Sequence, residues 1–297
     1  MRTYFDCVPC AIRQVLDAVR MTTDDERIHD RVMREALRMA LDMDYSESPP
    51  ARAQRIHRMI RELTGVADPY YDLKRRYNKL AMEMYPAAKE VVERSDDPLE
   101  TAVRLAAAGN IIDFGVNSTV SEEKVREAIE QSLEKPLDGQ MLEQFREAVS
   151  RARKILYLGD NAGEIVFDRL LIEGIGPEKV TFVVKSGPIL NDALIEDAEE
   201  VGLSGMVEVI DNGDDAPGTI VDGCSEDFRQ RFERADVVVS KGQGNYETLN
   251  DIDRDVFFLL QAKCDVIARH LNCEVGSLVL QRSDSQIASN QPITERG

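Results

Sequence analysis

The chain has 297 residues, 43% of them hydrophobic and 31% charged, with 55 Asp plus Glu against 37 Lys plus Arg and a formal charge of −18. That length buries the core of one or two domains, no apolar run is long enough to cross a bilayer, and the first residues do not form a signal peptide, so a soluble, cytoplasmic protein is expected. The acidic excess argues against broad nucleic-acid binding, which needs a basic surface, and it would repel an anionic substrate unless a local cation intervened.

The first half reads as helices. Apolar residues at Ala11, Ile12, Val15, Leu16 and Val19 mark a helical face over 10–19. The pattern continues over 25–43, breaks at Pro49-Pro50, and resumes over 51–65. Further helices are expected over 71–85, from Pro86 to 94, and over 99–108 after the start signal Asp97-Pro98. Gly109 to Gly115 interrupts the run, and two more helices follow over 121–130 and 138–151.

Strands begin only then. Short β-branched or apolar runs at 154–158, 180–184, 207–210, 237–240, 257–261 and 276–281 alternate with helical patterns at 164–172, 191–201, 225–233 and 263–271. That alternation predicts parallel βαβ units. The fold class expected is α/β, with an all-helical unit over 1–108 and an α/β unit over 109–297. Residues 109–152 form a helical connection in this division, and the polar tail 283–297 is expected to be flexible.

Five cysteines in a long chain do not suggest a disulfide framework. Cys7 and Cys10 form a Cys-x-x-Cys pair opening a helix, and packing, redox and metal roles stay open for it. His29 and His57 read as surface residues, and His270 as a partner of a helix end.

Polar residues cluster just after the strands. Asp160 and Asn161 follow the first, Lys185 to Asp192 the second, Asp211 to Asp215 the third, and Lys241, Gly242, Gln243, Gly244 and Asn245 the fourth. Parallel strands would bring all four clusters to one sheet edge, where open α/β sheets bind ligands. Two carboxylates and an amide oxygen are hard donors that suit Mg²⁺ or Mn²⁺ and also admit Co²⁺ or Ni²⁺. Lys241 would supply a point charge to a phosphate, and glycines such as Gly187 and Gly242 would let backbone N–H groups approach it. Taken singly, Asp160, Asn161 and Asp192 would serve as helix caps; taken with Lys241 they favour a site. No P-loop and no dinucleotide fingerprint is present.

These residues carry a resemblance. Gly159-Asp160-Asn161-Ala162-Gly163-Glu164, Gly187-Pro188-Ile189-Leu190-Asn191-Asp192 and Lys241-Gly242-Gln243-Gly244-Asn245-Tyr246-Glu247 resemble the metal-dependent damage-control phosphatases, also called the domain of unknown function 89 family. Gly109-Asn110-Ile111-Ile112-Asp113-Phe114 and the early Cys7-Val8-Pro9-Cys10 with Gln14 fit its small prokaryotic, often archaeal branch. The resemblance implies a helical unit packed on a Rossmann-like, three-layer α/β unit with a largely parallel sheet. It implies a divalent metal on Asp160, Asn161 and Asp192, with Lys241 and Asp160 as catalytic residues. It places Asn110, Asp113, Gly187, Gly242, Gln243 and Asn245 near the substrate, a small phosphorylated metabolite such as a sugar phosphate or a damaged cofactor-like phosphate. Two rival readings remain: a non-catalytic metal- or nucleotide-binding regulator, and a redox module centred on Cys7 and Cys10.

Overall fold

The computed structural model describes residues 1–108 and 122–283. Asn110, Asp113 and the tail beyond residue 283 lie outside the described residues.

Helices come first: α1 (Cys7–Thr22), α2 (Glu26–Leu41), α3 (Pro49–Thr64), α4 (Tyr71–Arg94), α5 (Pro98–Ala107), α6 (Glu122–Glu134) and α7 (Gly139–Arg151). Short oxygen-bearing side chains start four of them by accepting from orphan backbone N–H groups. Asp25 accepts from Arg27, Ser48 from Ala51, Asp97 from Glu100, and Asp138 from Gln140 and Met141. Pro49 and Pro98 sit in first turns, where the missing N–H costs nothing.

Pro86 behaves differently from expectation. It lies inside one continuous 24-residue helix, α4, instead of dividing two. Met84, Tyr85 and Ala88 on both sides of it are buried in a common core. That packing outweighs the lost helix hydrogen bond.

Six strands follow: β1 (Ile155–Leu158), β2 (Val180–Val184), β3 (Glu208–Asp211), β4 (Val237–Lys241), β5 (Val256–Gln261) and β6 (Leu278–Arg282). They form one sheet in the order β3-β2-β1-β4-β5-β6, parallel throughout except for β6, which pairs antiparallel with β5. Every residue of β1 and β4 is buried, as a sheet covered on both faces requires. The helices between the strands are α8 (Glu164–Ile175), α9 (Ile195–Glu200), α10 (Glu226–Arg234), α11 (Gly242–Leu249) and α12 (Asp265–Leu271).

Alternation along each strand sorts side chains to two cores. Tyr157, Phe182, Val239 and Phe257 face one side, against α4, α5, α7 and α8. Leu158, Val238 and Phe258 face the other, against α10, α11 and α12. The packing thus groups α4 and α5 with the sheet, while α1, α2 and α3 bury a separate cluster around Val15, Val32 and Ile60.

Two helices differ from the sequence reading. The helix expected over 191–201 begins only at Ile195, because Asn191 and Asp192 are engaged with the loop after β1. α11 was not expected from the pattern; its first four residues include two glycines. No helix among the described residues is long and apolar enough to cross a membrane.

Candidate active site

The strand order reverses between β1 and β4, and the loops after those strands open into one cleft. Ligands bind in such crevices because the loops diverge there and helices begin. The cleft holds about 530 Å³, within the range of small-molecule sites. Asp160, Asn161, Asp192, Gln243 and Lys263 line its sheet side; α1 and α3 form the opposite wall.

Backbone pairing brings the first two clusters together. Ala162 N–H donates to Asn191 O at 2.8 Å, and Ala193 N–H donates to Asp160 O at 2.8 Å. These bonds form an isolated antiparallel bridge between Asn161 and Asp192. A third bond, from Gly163 N–H to Asn78 Oδ1 at 2.7 Å, ties the same loop to α4. Leu190, just before the paired residues Asn191 to Ala193, is held at φ 45°, a conformation costly for a branched residue, with its side chain against the α1–α3 cluster.

Burial dominates the electrostatics of these acids. Burial and the neighbouring Glu164 charge raise Asp160 to about 6, against the pull of Lys263 and Lys185. Asp192 is only 3% exposed, and burial, joined by Asp160, raises it well above the usual carboxylate range despite Lys185. Its Oδ2 is buried and makes no hydrogen bond; Lys185 Nζ is 3.9 Å away. Asn161 Nδ2 donates to Asp160 Oδ2 at 2.7 Å and to Glu164 Oε2 at 3.1 Å, which leaves its carbonyl oxygen to ligate. Among the described residues no three His, Cys, Asp or Glu side chains stand at metal-holding spacing. Asp160, Asp192 and the Asn161 amide could together offer two carboxylates and an amide oxygen, hard donors of the kind that suit a small divalent cation with water completing its shell.

Lys241 is placed otherwise than expected. It is fully buried, and its ammonium lies 2.6 Å from Glu164 Oε1 and 2.7 Å from Asp168 Oδ1. Tyr157 donates its hydroxyl to the same Asp168 oxygen at 2.8 Å. Burial alone would lower the Lys241 pKa; the two carboxylates overcome it and raise it. Glu164, whose burial would raise it, is held low chiefly by Lys241. Burial raises Asp168 to about 6 against the same ammonium. A charge so enclosed faces carboxylates, not the cleft.

Asn245 also departs from its expected place at the substrate. It is 1% exposed: its Nδ2 donates to Gly159 O and Lys241 O, and its Oδ1 accepts from Thr219. It cross-links the β1 and β4 loops. Gly187 lies against Asp215 and does not line the cleft. Gly242, at φ +79°, packs directly on the Asp160 carboxylate, and Gln243 reaches the cleft while donating to Glu247 at 2.9 Å. His57, expected on the surface, is 3% exposed, and burial lowers its pKa to about 4. It belongs to the α3 wall of the cleft. His270 lies in the last turn of α12, where its Nδ1 is 2.6 Å from the Tyr246 hydroxyl.

Cys7 and Cys10 are free thiols in the cleft wall, joined there by Cys264. Burial raises both above the ordinary thiol value. A reactive redox pair needs the opposite shift.

The sequence reading missed Lys263, just beyond β5. It is exposed in the cleft and pulls down the carboxyl pKa values of Asp160, Glu164 and Asp192. Applying the strand-end rule to the fifth strand would have found it. Glu164 and Asp168 carried a signal too, as two acids one turn apart flanking the apolar run Ile165-Val166-Phe167. A second groove of about 720 Å³ lies at the opposite sheet edge, lined by Arg153, Lys154 and Arg234. The ends of α7, α8 and α10 converge there, and cations at helix C-termini offset their dipoles.

Residues 3–279 match the family described as the damage-control phosphatase ARMT1-like domain. A damage-control phosphatase of Archaeoglobus fulgidus is 39% identical over 280 residues, covering 92% of this chain and 96% of the relative. One from Pyrococcus horikoshii is 36% identical over 289 residues, covering 95% and 99%. The crystal structure of a DUF89 family protein from Pyrococcus horikoshii superposes with a TM-score of 0.87 at 34% identity, over 96% of this chain and all of that one.

Proposed function

This chain belongs to the damage-control phosphatase ARMT1-like domain family, and on that premise we propose that it is a metal-dependent phosphatase hydrolysing phosphate monoesters of small metabolites. The names of the relatives support the reaction class. The observation that carries the metal is Asp192 Oδ2, a buried carboxylate oxygen without a hydrogen-bond partner, beside Asp160 and Asn161. A buried acceptor without a hydrogen bond is costly even with the Lys185 ammonium 3.9 Å away, and a bound cation removes that cost.

In this reading the sheet is Rossmann-like and carries the metal site, and the helical unit supplies the far wall of the cleft. Asp160, Asn161 and Asp192 hold a divalent ion (Mn²⁺, Co²⁺, Ni²⁺ or Mg²⁺), which supplies Lewis acidity toward a phosphoryl oxygen when bound. Lys263 neutralises charge developing on the phosphoryl group from the side of β5. The first turn of α11, at Gly242 and Gln243, offers backbone N–H groups to the same oxygens. Lys241 acts at one remove, by fixing Glu164 and through it the Asn161 amide.

A metal-by-substrate screen on chelator-stripped protein tests this function. Turnover of phosphate monoesters that returns only with added metal, and is absent in Asp160→Asn and Asp192→Asn, is the expected result. Tight metal binding without hydrolysis across the panel would instead favour the non-catalytic regulator.

A further inference from the structure

The wall opposite the metal ligands holds a buried cation that forms no ion pair among the described residues. Arg52, in the first turns of α3, is 5% exposed and lines the cleft. Its Nη2 is buried with no hydrogen-bond partner, and its guanidinium forms no ion pair with any described residue. The neighbouring Glu47 carboxylate acts on it through charge alone: it makes no hydrogen bond to Arg52, and each of its oxygens accepts from Arg55 instead. Burial accordingly lowers the Arg52 pKa, although a guanidinium stays protonated at any ordinary pH.

An unpaired buried guanidinium is expensive, and an enclosed donor of this kind is matched by an acceptor that arrives with the ligand. The planar fork suits two oxygens of one carboxylate or phosphate. It sits on the α3 wall of the cleft, whereas Asp160, Asp192 and Lys263 line the sheet side.

We propose that Arg52 is a second anion subsite, so that the substrate carries a carboxylate or a second phosphate in addition to the ester phosphate held at the sheet edge. The substrate class is then a phosphorylated metabolite with two separated oxyanionic ends, bridging the two walls of the cleft. This rests on the phosphatase reading for its first anion only; the guanidinium and its vacancy of partners stand apart from it.

The test uses the full chain loaded with Mn²⁺ and probes that differ by one anionic group. Glycerol 3-phosphate is compared with 3-phosphoglycerate for a carboxylate, and glucose 1-phosphate with glucose 1,6-bisphosphate for a phosphate. The expected result is a preference of roughly 10- to 100-fold in kcat/KM for one two-anion probe over its partner, the size of a charged hydrogen bond. That ratio should fall toward one in Arg52→Met and lie between in Arg52→Lys. Ratios near one in the wild type, or a ratio that survives Arg52→Met, overturn the subsite.

If no probe is hydrolysed, the phosphatase reading fails, and calorimetry with phosphonoacetate against methylphosphonate decides the subsite alone. At least tenfold tighter binding of phosphonoacetate, weakened by Arg52→Lys, supports Arg52; equal affinities overturn it. The wild-type comparison and Arg52→Lys carry the test if the Met variant does not fold.

Discussion

Lys241 Nζ lies 2.6 Å from Glu164 Oε1, and Glu164 Oε2 accepts from Asn161 Nδ2 at 3.1 Å. A lysine at the end of β4 therefore reaches the Asn161 amide through a carboxylate. The same ammonium holds Asp168, which Tyr157 also contacts. The group is an enclosed ion network that orients an amide rather than a charge presented to solvent.

Removing the ammonium strands two buried carboxylates. Lys241→Met should lower unfolding stability by about 3–5 kcal/mol, the usual cost of breaking a buried pair. Adding Asp168→Asn should restore part of it, since one stranded charge is gone. Urea unfolding of the metal-free protein measures both. A Lys241→Met variant with wild-type stability and no turnover would instead place the lysine on the phosphate.

Lys263 should behave in the opposite way. It is exposed and makes no side-chain ion pair among the described residues. Lys263→Met should keep its unfolding free energy within about 0.5 kcal/mol of the wild type, as surface changes do. Turnover should fall by roughly 10²- to 10³-fold, the loss typical of one group that stabilises developing charge. Steady-state kinetics at saturating Mn²⁺ reads this, and unchanged kcat/KM would remove Lys263 from the site.

Much of the sheet was legible because its strands are buried on both faces and read as unbroken apolar runs, as in Ile155 to Leu158 and Val237 to Val239. The convergence of Asp160, Asn161 and Asp192 followed from the rule that parallel strands share a carboxyl edge. What escaped depends on tertiary partners. α11 opens with Gly242-Gln243-Gly244, poor helix formers that are needed because side chains there would strike Asp160 and Pro217. The direction of Lys241 is decided by Glu164 and Asp168 on another element, 77 and 73 residues away in sequence. Arg52 lies on a helix whose pattern says nothing about the wall it faces.

The metal-free protein should lose stability as pH rises from about 5 to 7. Asp160 and Asp168 are raised to about 6, Glu247 to about 7, and Asp192 well above the usual carboxylate range. A carboxyl whose folded pKa exceeds its unfolded value stabilises the fold below the unfolded pKa, and that contribution is lost as pH climbs through the folded one. His57, lowered to about 4, and His270, also lowered, work the other way, two groups against four. Thermal unfolding in a chelator should therefore show a midpoint falling across this range. Saturating Mn²⁺ should cancel or reverse the slope, because a bound cation favours the ionised carboxylates at Asp160 and Asp192. A metal-free midpoint that rises with pH would contradict the enclosure of these acids.

Gly242 couples backbone geometry to the same carboxylate. At φ +79° a side chain is strained, and a Cβ built there would lie 2.0 Å from Asp160 Oδ2. The obstacle is a side chain, so Gly242→Ala can be accommodated if Asp160 swings aside. That movement breaks its 2.7 Å bond from Asn161 and disperses the donor set. The expected result is an Mn²⁺ affinity at least about tenfold weaker by calorimetry, the scale of losing one tuned ligand contact, with a stability loss of only about 1–3 kcal/mol. Gly244→Ala supplies the contrast, since its Cβ would lie 1.8 Å from the Pro217 carbonyl oxygen, a backbone atom with little room to yield. It should cost the fold more than Gly242→Ala does. If Gly242→Ala bound Mn²⁺ as tightly as the wild type, Asp160 would not be holding the metal from the position seen here.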